Sequence, residues 1–205
     1  MSIFNYFSSN PDVRAKYIFN LIAPYYGRVD HVLQGKYQKT FEILKDKCAI
    51  EGASVLDVGT GTGAWAAMYE KHGLSDIQAV DFAPKMLFES QKKYPNIKFS
   101  IGNAEELSEF PDQSMDIVTA SYVLHGVKSD KRAKILSEMS RVARKYVIIN
   151  DFIGKTPAFV RFLEFMEKSD YKHFKLHFEQ EMQPYFNKSE RIFVEYGTGL
   201  YIGHK

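Results

Sequence analysis

The chain has 205 residues, 45% of them hydrophobic and 25% charged, and its 27 basic and 25 acidic side chains leave a net charge of +2. That length suits one sizeable domain, and so balanced a charge does not argue for a nucleic-acid partner. The single cysteine, Cys48, excludes an internal disulfide and a multi-cysteine zinc site, and no apolar run approaches the length of a membrane span.

At the start of the chain, Met1-Ser2-Ile3-Phe4-Asn5 lacks the basic start and apolar core of a signal peptide. The expectation is therefore a cytoplasmic protein. The first fifty residues read as helical. Ile18, Leu21, Ile22 and Tyr25 fall on one helical face and Phe41, Leu44 and Cys48 on another, with Pro24 and Gly27 expected to break the helix between them.

From residue 54 strands and helices alternate. Val55–Val58 reads as the first strand, followed by a helix over about Gly63–His72 that Gly73 stops. Ile77–Asp81 is the second strand, and Pro84 opens the next helix where its missing N–H costs nothing. Ile97–Ile101 and Ile117–Ser121 are the third and fourth strands. Ile135, Leu136, Met139, Val142 and Ala143 share one face of a helix leading to a fifth, Tyr146–Asn150. Short apolar strands separated by helices predict a doubly wound parallel sheet, α/β and Rossmann-like, with the ligand loops at the strand C-termini. Arg191–Tyr196 and Leu200–Gly203, joined by Gly197-Thr198-Gly199, predict an antiparallel hairpin at the end of the chain. The expected organisation is one domain over 1–205: a helical cap over 1–50, a core over 51–151, and a helical segment with the hairpin over 152–205.

Asp57-Val58-Gly59-Thr60-Gly61-Thr62-Gly63 is a strand–glycine turn–helix segment. Glycines let main chain and a helix start approach a ligand closely. Such a turn alone also matches a dinucleotide fingerprint. Asp81 ends the second strand about twenty residues on, where an acid takes both hydroxyls of a ribose, a feature common to nicotinamide and adenosylmethionine cofactors. Asn103-Ala104-Glu105 follows the third strand, in reach of an adenine edge. Asp57 tips the balance, because an acid beneath the turn repels a pyrophosphate and suits a cationic cofactor with an amino acid tail.

These segments resemble the motifs of the class I S-adenosylmethionine-dependent methyltransferases, in order and spacing over residues 54–150. Val55–Gly63 is similar to the first motif and Ala79–Leu87 to the second. Gly102–Leu107, Phe110–Val118 and Ser121–Val127 are similar to those that follow. Tyr17–Tyr26 resembles the entry segment of the ubiquinone/menaquinone biosynthesis C-methyltransferase group, with Gly27 standing where that group has Asp. The resemblance implies a seven-stranded sheet ending in the antiparallel hairpin. It implies S-adenosyl-L-methionine as cofactor, S-adenosyl-L-homocysteine as product, and in-line methyl transfer to a small-molecule acceptor through a carbon, oxygen or nitrogen nucleophile. Its cofactor residues carry over as Tyr26, Asp57, Gly59, Thr60, Gly61, Gly63, Asp81, Phe82, Met86, Asn103, Ala104, Glu105 and Ser121. Phe82 and Met86 read equally well as core, and Asp57 as a turn acid.

His125 follows the fourth strand at the mouth of the expected site. An imidazole there could take a proton from a hydroxyl nucleophile, or simply pack. His173 and His177 stand at a spacing that can bind metal, but no third ligand accompanies them, so they read as a solvated helix face and no metal is expected. Phe159, Phe162, Leu163 and Met166, like Tyr171, Phe174 and Phe178, fall at helical spacing. Mostly this reads as core, and together with the N-terminal helices it is a candidate aromatic lid. The alternative functions are a nicotinamide-dependent oxidoreductase and a non-catalytic adenosylmethionine-binding protein.

Overall fold

A computed structural model describes residues 8, 10–156 and 169–205; the side chains of residues 11, 12, 22 and 24–32 lie outside that description. Its elements in chain order are α1 (Pro11–Lys47), β1 (Val55–Val58), α2 (Ala66–Lys71), β2 (Ile77–Asp81), α3 (Pro84–Lys93), β3 (Lys98–Ile101), β4 (Met115–Ser121), α4 (Ser129–Val142), β5 (Ala143–Asp151), α5 (Tyr171–Met182), β6 (Lys188–Glu195) and β7 (Thr198–His204).

The strands form one seven-stranded sheet in the order β3-β2-β1-β4-β5-β7-β6. The first five are parallel, and β7 runs antiparallel to both β5 and β6. Beside β1 the chain first builds outward through β2 and β3 and then returns to the other side as β4. That reversal opens a crevice at the C-termini of β1 and β4, where ligands bind in open α/β sheets. The inserted antiparallel β7 separates this sheet from the all-parallel dinucleotide-binding order.

Alternation along the strands divides the core into two layers. Val55, Ile77, Ile117, Ile148 and Ile202 face a cluster with Phe41, Leu44, Trp65 and Tyr69. Leu56, Val118, Val147, Ile149 and Tyr201 face the opposite cluster with Leu136, Met139, Phe174 and Phe178. Asp57 shares the parity of Val55, so it lies on the α2 side of the sheet.

Three expectations need correction. Pro24 and Gly27 do not break α1, which runs unbroken over 37 residues. An internal proline costs about 3 kcal/mol of helix stability, but both halves of α1 are held by tertiary contacts. Ala23 packs on Ala83 and Met86, while Phe41 and Leu44 enter the main core. The helix after the glycine turn begins at Ala66 and not at Gly63, whose left-handed backbone is non-helical. The hairpin turn is Tyr196–Gly197, with Thr198 and Gly199 already in β7 and paired to β6. Strand limits also differ by one to three residues, most visibly in Ala143, which opens β5 instead of closing α4.

Candidate functional site

The glycine turn is built from backbone that other residues resist. Gly59, Gly61 and Gly63 have φ of +71°, +54° and +80°, in the left-handed region. The Gly59 and Thr60 amides donate to the Val80 carbonyl at 2.8 and 3.0 Å, which pins the turn to β2. A Cβ on Gly59 would lie 2.7 Å from Val123 Cγ2, so this glycine also lets the segment after β4 close over the turn. A Cβ on Gly61 would meet nothing within 4 Å: that glycine faces open space.

Asp81 joins the turn to the next helix. Its Oδ2 accepts the Gly61 N–H and its Oδ1 the Ala83 N–H, both at 2.8 Å. Burial pushes its pKa up, against the pull of the Ala83, Gly61 and Phe82 amides. Each carboxylate oxygen has a further lone pair, so a ribose diol can still be accepted. Asp57 is different. It is 1% exposed, and neither of its oxygens has a hydrogen-bond partner. Burial pushes its pKa up to about 7 and the Asp81 charge adds to this; Thr60 and the Ala66 amide oppose it in part.

Around the second strand, Met86 is buried against Ala23 and Ala83, the core reading. Phe82 is half-buried and meets Phe19 of α1 edge-on, with ring centroids 6.1 Å apart. Asn20 of α1 accepts the Lys85 N–H at 3.0 Å and so caps α3 from outside it. Asn103 is exposed, and its side-chain carbonyl accepts the Glu105 N–H at 3.1 Å. Ala104 is half-buried beside it. The Glu105 carboxylate pairs with Lys131 at 2.9 Å and Lys134 at 3.8 Å, so it faces α4 and not the turn. A cavity of about 200 Å³ borders Val80, Gly102 and Asn103. The Tyr26 side chain and residues 157–168, with Phe159, Phe162, Leu163 and Met166, lie outside the described residues.

The end of β4 supplies the facing wall. The Ser121 hydroxyl donates to the Tyr37 hydroxyl at 3.2 Å and accepts from Asn150 Nδ2 at 3.0 Å. Tyr122 has φ of +54°, rare for a bulky residue, and its hydroxyl lies 3.0 Å from the Thr198 hydroxyl. Strain of this kind gathers at functional sites. A short 3₁₀ turn, Leu124–Gly126, then carries His125. Its Nδ1 lies 2.7 Å from Asp151 Oδ1. Asp151 is fully buried and also accepts the Leu124, His125 and Phe152 amides at 3.1, 3.2 and 2.7 Å. The His125 ring meets Phe152, Phe174, Tyr122 and Tyr171 with centroids 4.7–6.5 Å away.

The structure thus brings the glycine turn, Asp57, Asp81, Ser121 and His125 to one rim of the sheet. Sequence reasoning missed Asp151, Tyr37, Tyr122 and Asn150. Only Asp151 carried a usable signal, since it closes a strand whose end faces the ligand loops. The His173 and His177 rings are tilted at 38° with centroids 4.4 Å apart, and among the described residues no group of three or more His, Cys, Asp or Glu could hold a metal ion.

An acid on the second strand, a glycine facing open space and a buried, unpartnered carboxyl together fit an adenosyl cofactor with a cationic tail. Residues 55–146 match the methyltransferase domain family. A demethylmenaquinone methyltransferase of Chlorobaculum parvum is 34% identical over 150 residues, 68% of this chain and 61% of that protein. Another, of Renibacterium salmoninarum, is 37% identical over 129 residues, 62% of this chain and 53% of that protein. The chain spans about half to three-fifths of the length of these relatives. Magnesium protoporphyrin IX methyltransferase of Synechocystis PCC 6803, solved with bound S-adenosylhomocysteine, has the same fold: the TM-score is 0.64 over 87% of this chain and 84% of that one, at 18% identity. Residues 55–146 thus form a methyltransferase domain, and the chain has the fold of an S-adenosylmethionine-dependent methyltransferase. Within that class its curated relatives include demethylmenaquinone methyltransferases, the group that residues 17–26 resemble.

Proposed function

We propose that the protein transfers the methyl group of S-adenosylmethionine to a small-molecule acceptor, with an aromatic ring carbon or its hydroxyl as the accepting atom. The observation that carries this is that the glycine turn and Asp81 stand at the same rim of the sheet as the aromatic rings around His125, with Val123 packed on Gly59 between them. The relatives' names support an acceptor of the demethylmenaquinone kind. When bound, the cofactor supplies a methyl carbon on a sulfonium leaving group.

The residues of the chain do the positioning. The turn and Asp81 hold the adenosyl end, and Asp57 faces the cationic end. Val123, packed on Gly59, ties the acceptor wall to the cofactor wall. Fixing both reactants in line can lower the barrier by up to roughly 7–11 kcal/mol. Tyr37, Tyr122, Phe152 and Tyr171 keep water out. Asp151 orients the His125 ring, and His125 takes the proton where the nucleophile arrives protonated. The described residues of 10–48 and 169–186 fit a cover over this site.

The test is methyl transfer to a panel that includes a reduced demethylmenaquinone, a catechol and an aromatic amine. Product with the first is expected. Binding of NAD in place of adenosylmethionine would instead mark an oxidoreductase, and cofactor binding with no product across the panel a non-catalytic binder. His125→Asn should lower turnover about a hundredfold or more and leave adenosylhomocysteine affinity unchanged, because general-base contributions run to roughly 10²–10⁴. Unchanged turnover would remove His125 from the chemistry.

A further inference from the structure

Ordinary packing does not account for Asp57. A buried carboxyl is normally held by amide donors, as Asp151 is, or by a cation. Both Asp57 oxygens are buried without a hydrogen-bond partner. The groups that act on it are the Asp81 carboxylate from β2, the Thr60 hydroxyl and the Ala66 N–H, and none is a cation. From α2 the phenol of Tyr69 faces it: burial pushes that phenol up, and the Asp57 charge adds to this. On either side in the sheet stand the uncharged Ala79 and Thr119. Two acids therefore sit beneath one turn, and Gly61 of that turn faces open space.

Like charges so placed are costly together until a positive charge arrives. The cofactor and its product differ in that respect. Adenosylmethionine carries a sulfonium, an ammonium and a carboxylate, for a net positive charge. Adenosylhomocysteine has a neutral thioether in place of the sulfonium and no net charge.

We propose that Asp57 makes cofactor recognition proton-linked: it releases its proton to solvent when the sulfonium cofactor binds and takes one back when the thioether product occupies the site. This rests on the methyltransferase reading. Above neutral pH Asp57 is already ionised and the pocket prefers cofactor over product. As pH falls that preference shrinks, and product competes better. The burial that pushes Asp57 up to about 7 puts the change inside the ordinary working range.

Calorimetry of the intact chain tests this with adenosylmethionine and adenosylhomocysteine from pH 5.5 to 7.5. That window lies below the titration of the α-amino group both ligands share, about 7.7–8.0. Each titration is run in two buffers of different ionisation enthalpy. At pH 6.5 the adenosylmethionine enthalpy should differ between buffers in the direction of proton release, and the adenosylhomocysteine enthalpy much less. The affinity ratio of cofactor to product should climb about tenfold across the window, up to one proton being linked. Asp57→Asn should flatten both responses; if it does not fold, the two-buffer comparison on the unaltered chain still decides. Binding of both ligands with equal enthalpies in the two buffers and a pH-independent ratio would overturn the proposal alone. Binding of neither ligand at any pH would overturn the methyltransferase reading as well.

Discussion

Asp81 and Asp57 are both buried acids under the same turn, and they do opposite things for the fold. Asp81 is 6% exposed and accepts amides from Gly61 and Ala83, so it staples the turn to α3; a ribose is its proposed further partner. Asp81→Ala should therefore weaken adenosylhomocysteine binding at least tenfold, about 1.4 kcal/mol, by calorimetry. Neither Asp57 oxygen has a hydrogen-bond partner, and burial pushes its pKa in the folded chain up to about 7, well above the ordinary aspartate value of 3.8. The folded protein thus binds this proton more tightly than the unfolded chain. Between about pH 4 and 7 stability falls as pH rises, and above pH 7 the loss is complete. Asp57→Asn, which cannot ionise, should stabilise the ligand-free protein at pH 8 by on the order of 2–4 kcal/mol. At about pH 4 the gain should vanish. Urea unfolding at the two pH values checks this, and an equal effect at both would refute the assignment.

At the level of elements, the turn between β1 and α2 uses its glycines for different reasons, and substitution should separate them. Gly59→Ala meets both the left-handed backbone penalty and Val123 at 2.7 Å. A destabilisation of about 2–4 kcal/mol is expected from strain and overpacking together. Gly61→Ala meets the backbone penalty alone, about 1–2 kcal/mol, since nothing stands within 4 Å of its Cβ. Its methyl group would instead enter the ligand space, so cofactor affinity should fall more than tenfold while the fold survives. Thermal unfolding and calorimetry on the pair distinguish the two cases. The α1 helix shows the same priority of packing over local preference. Pro24 argues for a break, but Ala23 is fully buried on Ala83 and Met86, and Asn20 caps α3. Interrupting the helix there would forfeit those contacts.

Across the whole molecule, the turn that carries His125 is held in place by Arg132, which belongs to no local motif. Its side chain is fully buried in α4. It forks onto Glu181 of α5 at 2.6 and 2.9 Å, reaches Asp170 at 3.0 Å, and donates to the Leu124 carbonyl at 3.3 Å and to that of Val127. The guanidinium thereby ties α5 to the turn that carries His125. Arg132→Met would take the guanidinium from Glu181 and Asp170 and remove the side-chain donor to the Val127 carbonyl, and a loss of about 3–5 kcal/mol is expected in denaturant unfolding. A change below about 1 kcal/mol would mean that α5 is held by its buried apolar face, Phe174, Phe178 and Met182, without Arg132. Below Arg132 those two rings pack on Tyr201, so their helical spacing reads correctly as core.

The local chemistry of one wall can be read along the chain. Gly59, Gly61 and Gly63 stand together because a single turn needs all three, and Asp81 follows at one strand–helix–strand unit, a spacing written along the chain. The alternation of strands and helices, and the closing hairpin, were legible for the same reason: each depends on a period within a few residues. Tertiary structure alone decided the rest. Asp151 meets His125 from 26 residues away, Tyr37 meets Ser121 from 84, and Thr198 meets Tyr122 from 76. No local pattern encodes such separations, because the energy that selects them is the burial of whole faces of the sheet. It likewise took the fold to show that Glu105 turns to Lys131 and that Asp57 lies buried without a partner. A residue's identity states what it can bond; only its position among distant neighbours states what it does bond.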